Sequence, residues 1–269
     1  MAPRIQSPSS INTYKQCPRK YYYSYIEKLP TKPNIHLIRG KLVHTVLEDL
    51  FKISIEDLDN SNYNEKLKNR IQNMLVIEWK KNEQQLKRLG LYKDDLQFYF
   101  DETMLMVLNF MNNFLYRVES RIKKGESFRE AFKNLTPLTE KKYISYEHKV
   151  QGFIDAIEEI DDEISLIDYK TSKTARISSE YKLQLAIYAL LYNEKHKKMP
   201  HKVGVNFLKD VTHYLDVDEE LLKLARFEIE QIHMSTETNE KDEYPMKPGP
   251  LCRWSTGQCD FYNHCFGKK

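Results

Sequence analysis

The stretch "EKKYISYEHKVQGFIDAIEEIDDEISLIDYK", residues 140–170, is enriched in β-branched and aromatic residues and reads as strands. Its acidic run "EEIDDE" (158–163) suits a hairpin turn between a strand ending near Ile157 and one starting near Ile164. The second of these ends on "IDYK". Alternate residues of a strand share a face, so Asp168 and Lys170 point one way and Tyr169 the other. On the first strand, Asp155 is a lone acid among apolar neighbours, and the hairpin brings it beside Asp168. Two such carboxylates repel and are costly to desolvate unless a cation lies between them. A hard divalent ion meets that need, and oxygen ligands suit Mg²⁺ or Mn²⁺. Bound there, such an ion would serve phosphodiester hydrolysis, with Lys170 orienting water or stabilising developing charge.

Downstream, "YKLQLAIYALLY" runs through a helix expected over Ser179 to His196, "KVGVNFLKD" (202–210) reads as a strand, and 217–235 as another helix. Strand, strand, helix, strand predicts an α/β fold with a mixed central sheet flanked by helices. Upstream, residues 9–28 read as a short helix capped by Ser9 or Ser10 and interrupted at Pro18. In "KLVHTVLEDLFKI", Val43, Val46, Leu47, Leu50 and Phe51 form one apolar stripe, with His44 at its edge. Leu67, Ile71 and Leu75 mark one long helix. Gly90 marks a break, and Met104, Leu108, Met111, Leu115, Val118 and Ile122 mark a second helix.

The chain has 269 residues, enough to bury a substantial core, with 41% hydrophobic and 30% charged residues. No run approaches the eighteen apolar residues of a membrane span, and "MAPRIQSPSS" has no secretory core, which places the protein in the cytoplasm with no membrane partner. A net charge of +3 permits a nucleic-acid partner without arguing for one. Eighteen tyrosines are more telling, several of them in "KQCPRKYYYSYIEK" (15–28). Arg19, Lys20, Tyr21 and Tyr22 suit a surface that stacks bases and neutralises phosphates. A helix whose tyrosines pack inward gives the same pattern. No G-x-x-x-x-G-K-[ST] phosphate loop occurs, so these residues hold no helicase motor.

His44, "GFID" with Asp155, "IDYKT" with Asp168 and Lys170, and "QLAIY" with Gln184 and Tyr188 together resemble the PD-(D/E)XK nuclease superfamily, in particular its RecB-like branch. The resemblance implies a restriction-endonuclease-like fold and an exonuclease acting on single-stranded or end-bearing DNA in repair, recombination or CRISPR adaptation. It implies metal ligation by His44, Asp155 and Asp168, with Tyr169 counted among the ligands, and a catalytic Lys170. Gln184 and Tyr188, four apart on one helix face, would support the site. Glu140 or Glu147 would supply the acid on the preceding strand. Ile154 stands where the superfamily has its namesake proline.

Cys17 stands alone near one end, while Cys252, Cys259 and Cys265 crowd the other. Four cysteines in a cytosolic chain invite metal ligation, by zinc or by an iron–sulfur cluster. One cysteine before the core and three after it is similar to the iron–sulfur subgroup of RecB-like nucleases, which includes AddB-type nuclease domains and CRISPR-associated exonucleases. There a [4Fe-4S] cluster ties the chain ends together. The gap of six between Cys252 and Cys259 exceeds the usual two, and the final gap of five agrees. The expected organisation is one nuclease domain over 1–269, with a helical insertion at 55–135 and a linker and cysteine segment at 236–269 that pairs with Cys17. A separate helicase or a CRISPR integrase complex is the expected partner besides DNA.

Overall fold

The computed structural model describes residues 4–172, 175–255 and 257–267. Its centre is a five-stranded sheet of β1 (Leu138–Ser145), β2 (Val150–Ile160), β3 (Glu163–Lys170), β4 (Lys202–Phe207) and β5 (Thr212–Asp216), paired in chain order. Every pairing in it is antiparallel except β3 with β4, whose parallel register requires a crossover. The sheet is thus mixed, as the sequence predicts. The hairpin turn falls at Asp161 and Asp162, both in the left-handed region (φ +52° and +66°), the backbone of a two-residue turn that matches strand twist. It sits later than expected, so β2 runs on to Ile160. Among the described residues, the helices around the sheet are α1 (Pro8–Gln16), α2 (Pro18–Tyr21), α3 (Ile35–Leu50), α4 (Tyr63–Lys81), α5 (Glu83–Lys87), α6 (Lys93–Lys123), α7 (Phe128–Leu135), α8 (Ser179–His196), α9 (Glu219–Ser235) and α10 (Tyr262–Phe266).

The crossover helix α8 and its neighbour α9 cover one sheet face. Leu185, Ile187 and Leu190 of α8 pack there on Ile154, Leu166 and Val203. The opposite face carries α3, α4, α6 and α7, whose core includes Val43, Leu47, Leu67, Met111 and Phe132 around Ile167 and Tyr169. Gly90 (φ +67°) breaks the chain between α5 and α6 as expected. α3 is locked to α6 by Arg39, which is 3% exposed. Its Nε donates to Thr103 Oγ1 at 2.9 Å, and it pairs at 2.5 Å with Glu102, which Lys209 also reaches.

At the N-terminus, Ser7 rather than Ser9 or Ser10 caps α1, and Ser10 returns the bond to the Ser7 backbone in a capping box. Pro18 interrupts the helix, and Tyr22–Ile26 continue as a π-helical turn. A short hairpin, β6 (Arg253–Trp254) with β7 (Gly257–Gln258), precedes α10.

Candidate active site

The ladder between β2 and β3 ends at Ala156↔Ile167, one residue short of Asp155 and Asp168. Beyond it the strands fork. Asp155 fills the fork by accepting the Tyr169 backbone N–H on Oδ2 at 2.7 Å, which replaces a ladder bond with a carboxylate. Its Oδ1 lies 3.4 Å from His44 Nδ1, presented by α3, and Glu140 Oε1 lies 3.6 Å from the same nitrogen. His44 Nε2–H donates to the Tyr169 carbonyl at 3.1 Å. Ligand atoms of His44, Glu140 and Asp155 all lie within 4.8 Å of one another. Nitrogen and oxygen donors gathered this closely, two of them carboxylates, fit a hard divalent ion.

Glu140 reaches the trio through an unusual backbone. The β1–β2 ladder pairs Thr139↔Ala156 and Lys141↔Ile154, bracketing Glu140 and Asp155, and Glu140 itself has φ +49°. A left-handed non-glycine residue inside a strand is strained, and such strain concentrates at functional sites. Glu147, the competing candidate, lies exposed in the turn between β1 and β2.

Asp168, 2% exposed, forms the other side of the fork. Its Oδ2 pairs with Lys170 Nζ at 2.6 Å, and its Oδ1 accepts from Gln184 Nε2 at 2.7 Å. Gln184 also donates to the Tyr188 hydroxyl at 2.7 Å, so α8 holds Asp168 through two residues one turn apart. The Tyr188 ring packs where a side chain on Gly152 would be, with ring atoms 2.9 Å from a Cβ built there. Tyr181, absent from the sequence expectations, stands one turn before Gln184, with its ring centroid 5.3 Å from Lys170 Nζ. It shares a helix face with Gln184 and Tyr188, the two residues the family resemblance singled out, and that spacing was its signal in the sequence. The structure thus brings together every expected nuclease residue. His44, Glu140 and Asp155 form the tightest ligand group, Asp168 is held by Lys170 and Gln184, and Tyr169 contributes backbone groups while its ring packs on Phe110.

The electrostatics fit a site that takes a cation. Burial alone would lower the His44 imidazole, but Asp155 and Glu140 outweigh it and raise it to about 10. Without an ion, the imidazolium is the counter-charge of the carboxylates. Burial raises the Asp168 carboxyl despite Lys170, and Lys170, although burial opposes it, is held above its ordinary range by Asp168. A metal must displace the His44 proton to bind, so raising pH toward 10 favours the ion. Titrating Mn²⁺ into metal-free protein between pH 6.5 and 8.5 is expected to release about one proton per site and to tighten binding about tenfold per pH unit. Calorimetry in buffers of different ionisation enthalpy measures the release, which His44→Ala removes. Gly152→Ala is expected to cost about 1–3 kcal/mol by overpacking and to displace Tyr188 from Gln184. Denaturant melts measure the first effect and cleavage rate the second.

The four cysteines line one cavity of about 430 Å³ together with Gln16, Phe261 and the start of α8. Burial raises the Cys265 thiol, as do neighbouring Cys17, Cys259 and Cys252. The long gap carries the β6–β7 hairpin, which pairs Arg253 with Gln258 and Trp254 with Gly257, and Cys259 N–H donates to Cys252 O at 2.9 Å across its base.

The N-terminal aromatics pack inward. Tyr21 has no exposed surface, stacks on Tyr244 with centroids 6.0 Å apart, and shares hydrogen bonds with Gln6. Arg19 Nε donates to Tyr244 O at 2.7 Å and Lys20 to Gln16 at 2.7 Å, while Tyr22 lies against Tyr244. The base-stacking role expected of Tyr21 is therefore corrected to a structural one, because a ring without accessible faces cannot receive a base.

Compared with known proteins, residues 6–266 match the PD-(D/E)XK nuclease superfamily. The chain belongs to that superfamily. Within it, 170 residues are 31% identical to an ATP-dependent helicase/nuclease of Thermoanaerobacter sp. (strain X514), covering 61% of this chain and 13% of the relative. The same protein of Thermoanaerobacter pseudethanolicus matches equally. The chain therefore matches only about an eighth of those relatives' length. Among solved structures, a candidate exonuclease from Eubacterium rectale shares the fold at TM-score 0.51 and 13% identity, covering 97% of this chain and 88% of the other. The sheet with helices on both faces is thus the superfamily's restriction-endonuclease-like fold. No helix among the described residues is long and apolar enough to cross a membrane.

Proposed function

We propose that this chain is a Mg²⁺- or Mn²⁺-dependent deoxyribonuclease that hydrolyses phosphodiesters, acting as an exonuclease on single-stranded or end-bearing DNA. The observation that carries this reading is the fork itself, where the His44, Glu140 and Asp155 donors meet Asp168 and its ion-paired Lys170 at the end of one strand pair. His44, Glu140 and Asp155, with Asp168 beside them, would hold the ion. When bound, the ion supplies positive charge to the phosphate and acidity to a coordinated water. The side chains do the rest. Gln184 fixes the Asp168 carboxylate, Asp168 holds the Lys170 ammonium in place, and Lys170 orients the attacking water and meets charge developing on the phosphate. Buried Tyr188 keeps Gln184 in register.

The four thiols are proposed to hold a [4Fe-4S] cluster. That reading is supported by the four cysteines lining one cavity and by their order along the chain, one before the core and three after it, with zinc as the alternative occupant. The whole chain is proposed to act as one nuclease domain, with 55–135 as a helical insertion and 236–269 as the segment that closes on Cys17. A separate helicase as partner is supported by the relatives, which are helicase/nuclease subunits many times longer than the matched region, and work in the cytoplasm is proposed with it. A CRISPR integrase complex is the other partner consistent with the RecB-like resemblance.

The test is digestion of end-labelled single-stranded DNA by anaerobically purified protein with Mg²⁺, Mn²⁺ or EDTA. Metal-dependent shortening is expected, and the label position gives polarity. Binding without cutting under every metal condition would replace this reading with a non-catalytic DNA-binding protein.

A further inference from the structure

On the β1–β2 hairpin, Tyr143 and Gly152 are register partners facing α8: Tyr143 meets Tyr192, and Gly152 meets Tyr188 and Leu191. The next pair, Lys142↔Phe153, therefore faces away from α8, on the side from which α3 delivers His44. Phe153 is 51% exposed, and Lys142 Nζ lies 5.6 Å from its ring centroid. Phe153 stands two residues before Asp155 on β2, and Lys142 two residues after Glu140 on β1. Two residues of strand span about 7 Å, roughly one extended nucleotide from the metal-ligand trio.

From this we infer that Phe153 and Lys142 form a nucleotide subsite for single-stranded DNA. Phe153 stacks the base next to the scissile phosphate, and Lys142 neutralises that nucleotide's phosphate. The subsite rests on the nuclease reading for its position along the substrate and adds the strand class. A flat ring offered to a base face requires an unpaired nucleotide, because in a duplex both faces are already stacked. The ammonium already over the ring shows that the two groups reach the same small volume, which a base and its phosphate would occupy together. The platform is rigid because β2 is anchored just beyond it, with Ile154 buried and Asp155 bonded to β3.

The test is binding of fluorescein-labelled oligo-dT, followed by anisotropy in EDTA so that no cutting occurs. Phe153→Ala and Phe153→Leu are expected to weaken Kd about tenfold, within the roughly 5- to 150-fold range of one base–aromatic stack, with melting temperature unchanged. Phe153→Trp is expected to stay within about twofold of wild type. Lys142→Ala is expected to weaken binding and to lower the dependence of log Kd on log salt by about one. A blunt duplex is expected to be indifferent to Phe153→Ala. Wild-type affinity of Phe153→Ala for oligo-dT, or an equal loss with the duplex, would overturn the subsite. The two readings separate cleanly. Phe153-dependent binding by a protein that never cuts with Mn²⁺ brings down the nuclease and leaves the platform. Cutting with Phe153-independent binding brings down the platform alone.

Discussion

Lys170→Met is expected to lower kcat on single-stranded DNA by about 10²- to 10³-fold while leaving KM and the fold nearly unchanged. The side chain ends 2.6 Å from Asp168 in a site where water is scarce, so its charge is felt strongly and is placed before reaction begins. Removing it leaves Asp168 its bond from Gln184, and the carboxyl, already raised by burial, relieves the lost partner by taking a proton. Melting temperature is therefore expected to move little. Lys170→Arg is expected to rescue poorly, because a planar fork does not replace a compact ammonium between Asp168 and the Tyr181 ring. Single-turnover rates on end-labelled DNA measure both variants. Undiminished cutting by Lys170→Met would remove the lysine from the chemistry.

Cys259→Ser is expected to bleach the brown colour of anaerobically purified protein and to lower its melting temperature by about 6–12 °C, the product of two magnitudes. The proposed cluster would join Cys17 to a segment more than two hundred residues later, and a cross-link of the folded chain typically stabilises by on the order of 3 kcal/mol. In a chain of this size each kcal/mol moves the midpoint by about 2–4 °C. Cys17→Ser is expected to have the same effect, and the double variant little more, because both ligands serve one group. Metal analysis and thermal melts decide the matter. Colourless wild-type protein holding stoichiometric zinc would overturn the iron assignment.

The sheet and the fork were legible because their signals are local. The apolar run into Asp168 and Lys170, the lone Asp155 and the turn chemistry of "EEIDDE" each fix a strand or its end. α8 was readable to its boundaries for the same reason. β5 was missed because five residues with a mixed burial pattern lack a clear period. Glu140 was recoverable by arithmetic: the turn at 146–149 pairs Ser145 with Val150, and counting back places Glu140 opposite Asp155. Glu147 lies within that turn and has no partner strand. What the sequence could not show was direction in three dimensions. The tyrosines at 21–23 read equally as a stacking surface or a packed core until Tyr244, more than two hundred residues away, is seen against them.

The cysteine cavity also has a consequence in time. Ribosomes deliver His44, Asp155 and Asp168 well before Cys252, and at about 5–20 residues per second the last thiol follows Asp168 by roughly 5–20 s. For that interval the nascent chain holds the residues proposed to bind the ion but not yet the thiols that share a cavity with Cys17. Synthesis of the stretch from Cys252 to Cys265 thus becomes the event that assembles the four-thiol cavity against the start of α8, the helix that holds Asp168 through Gln184.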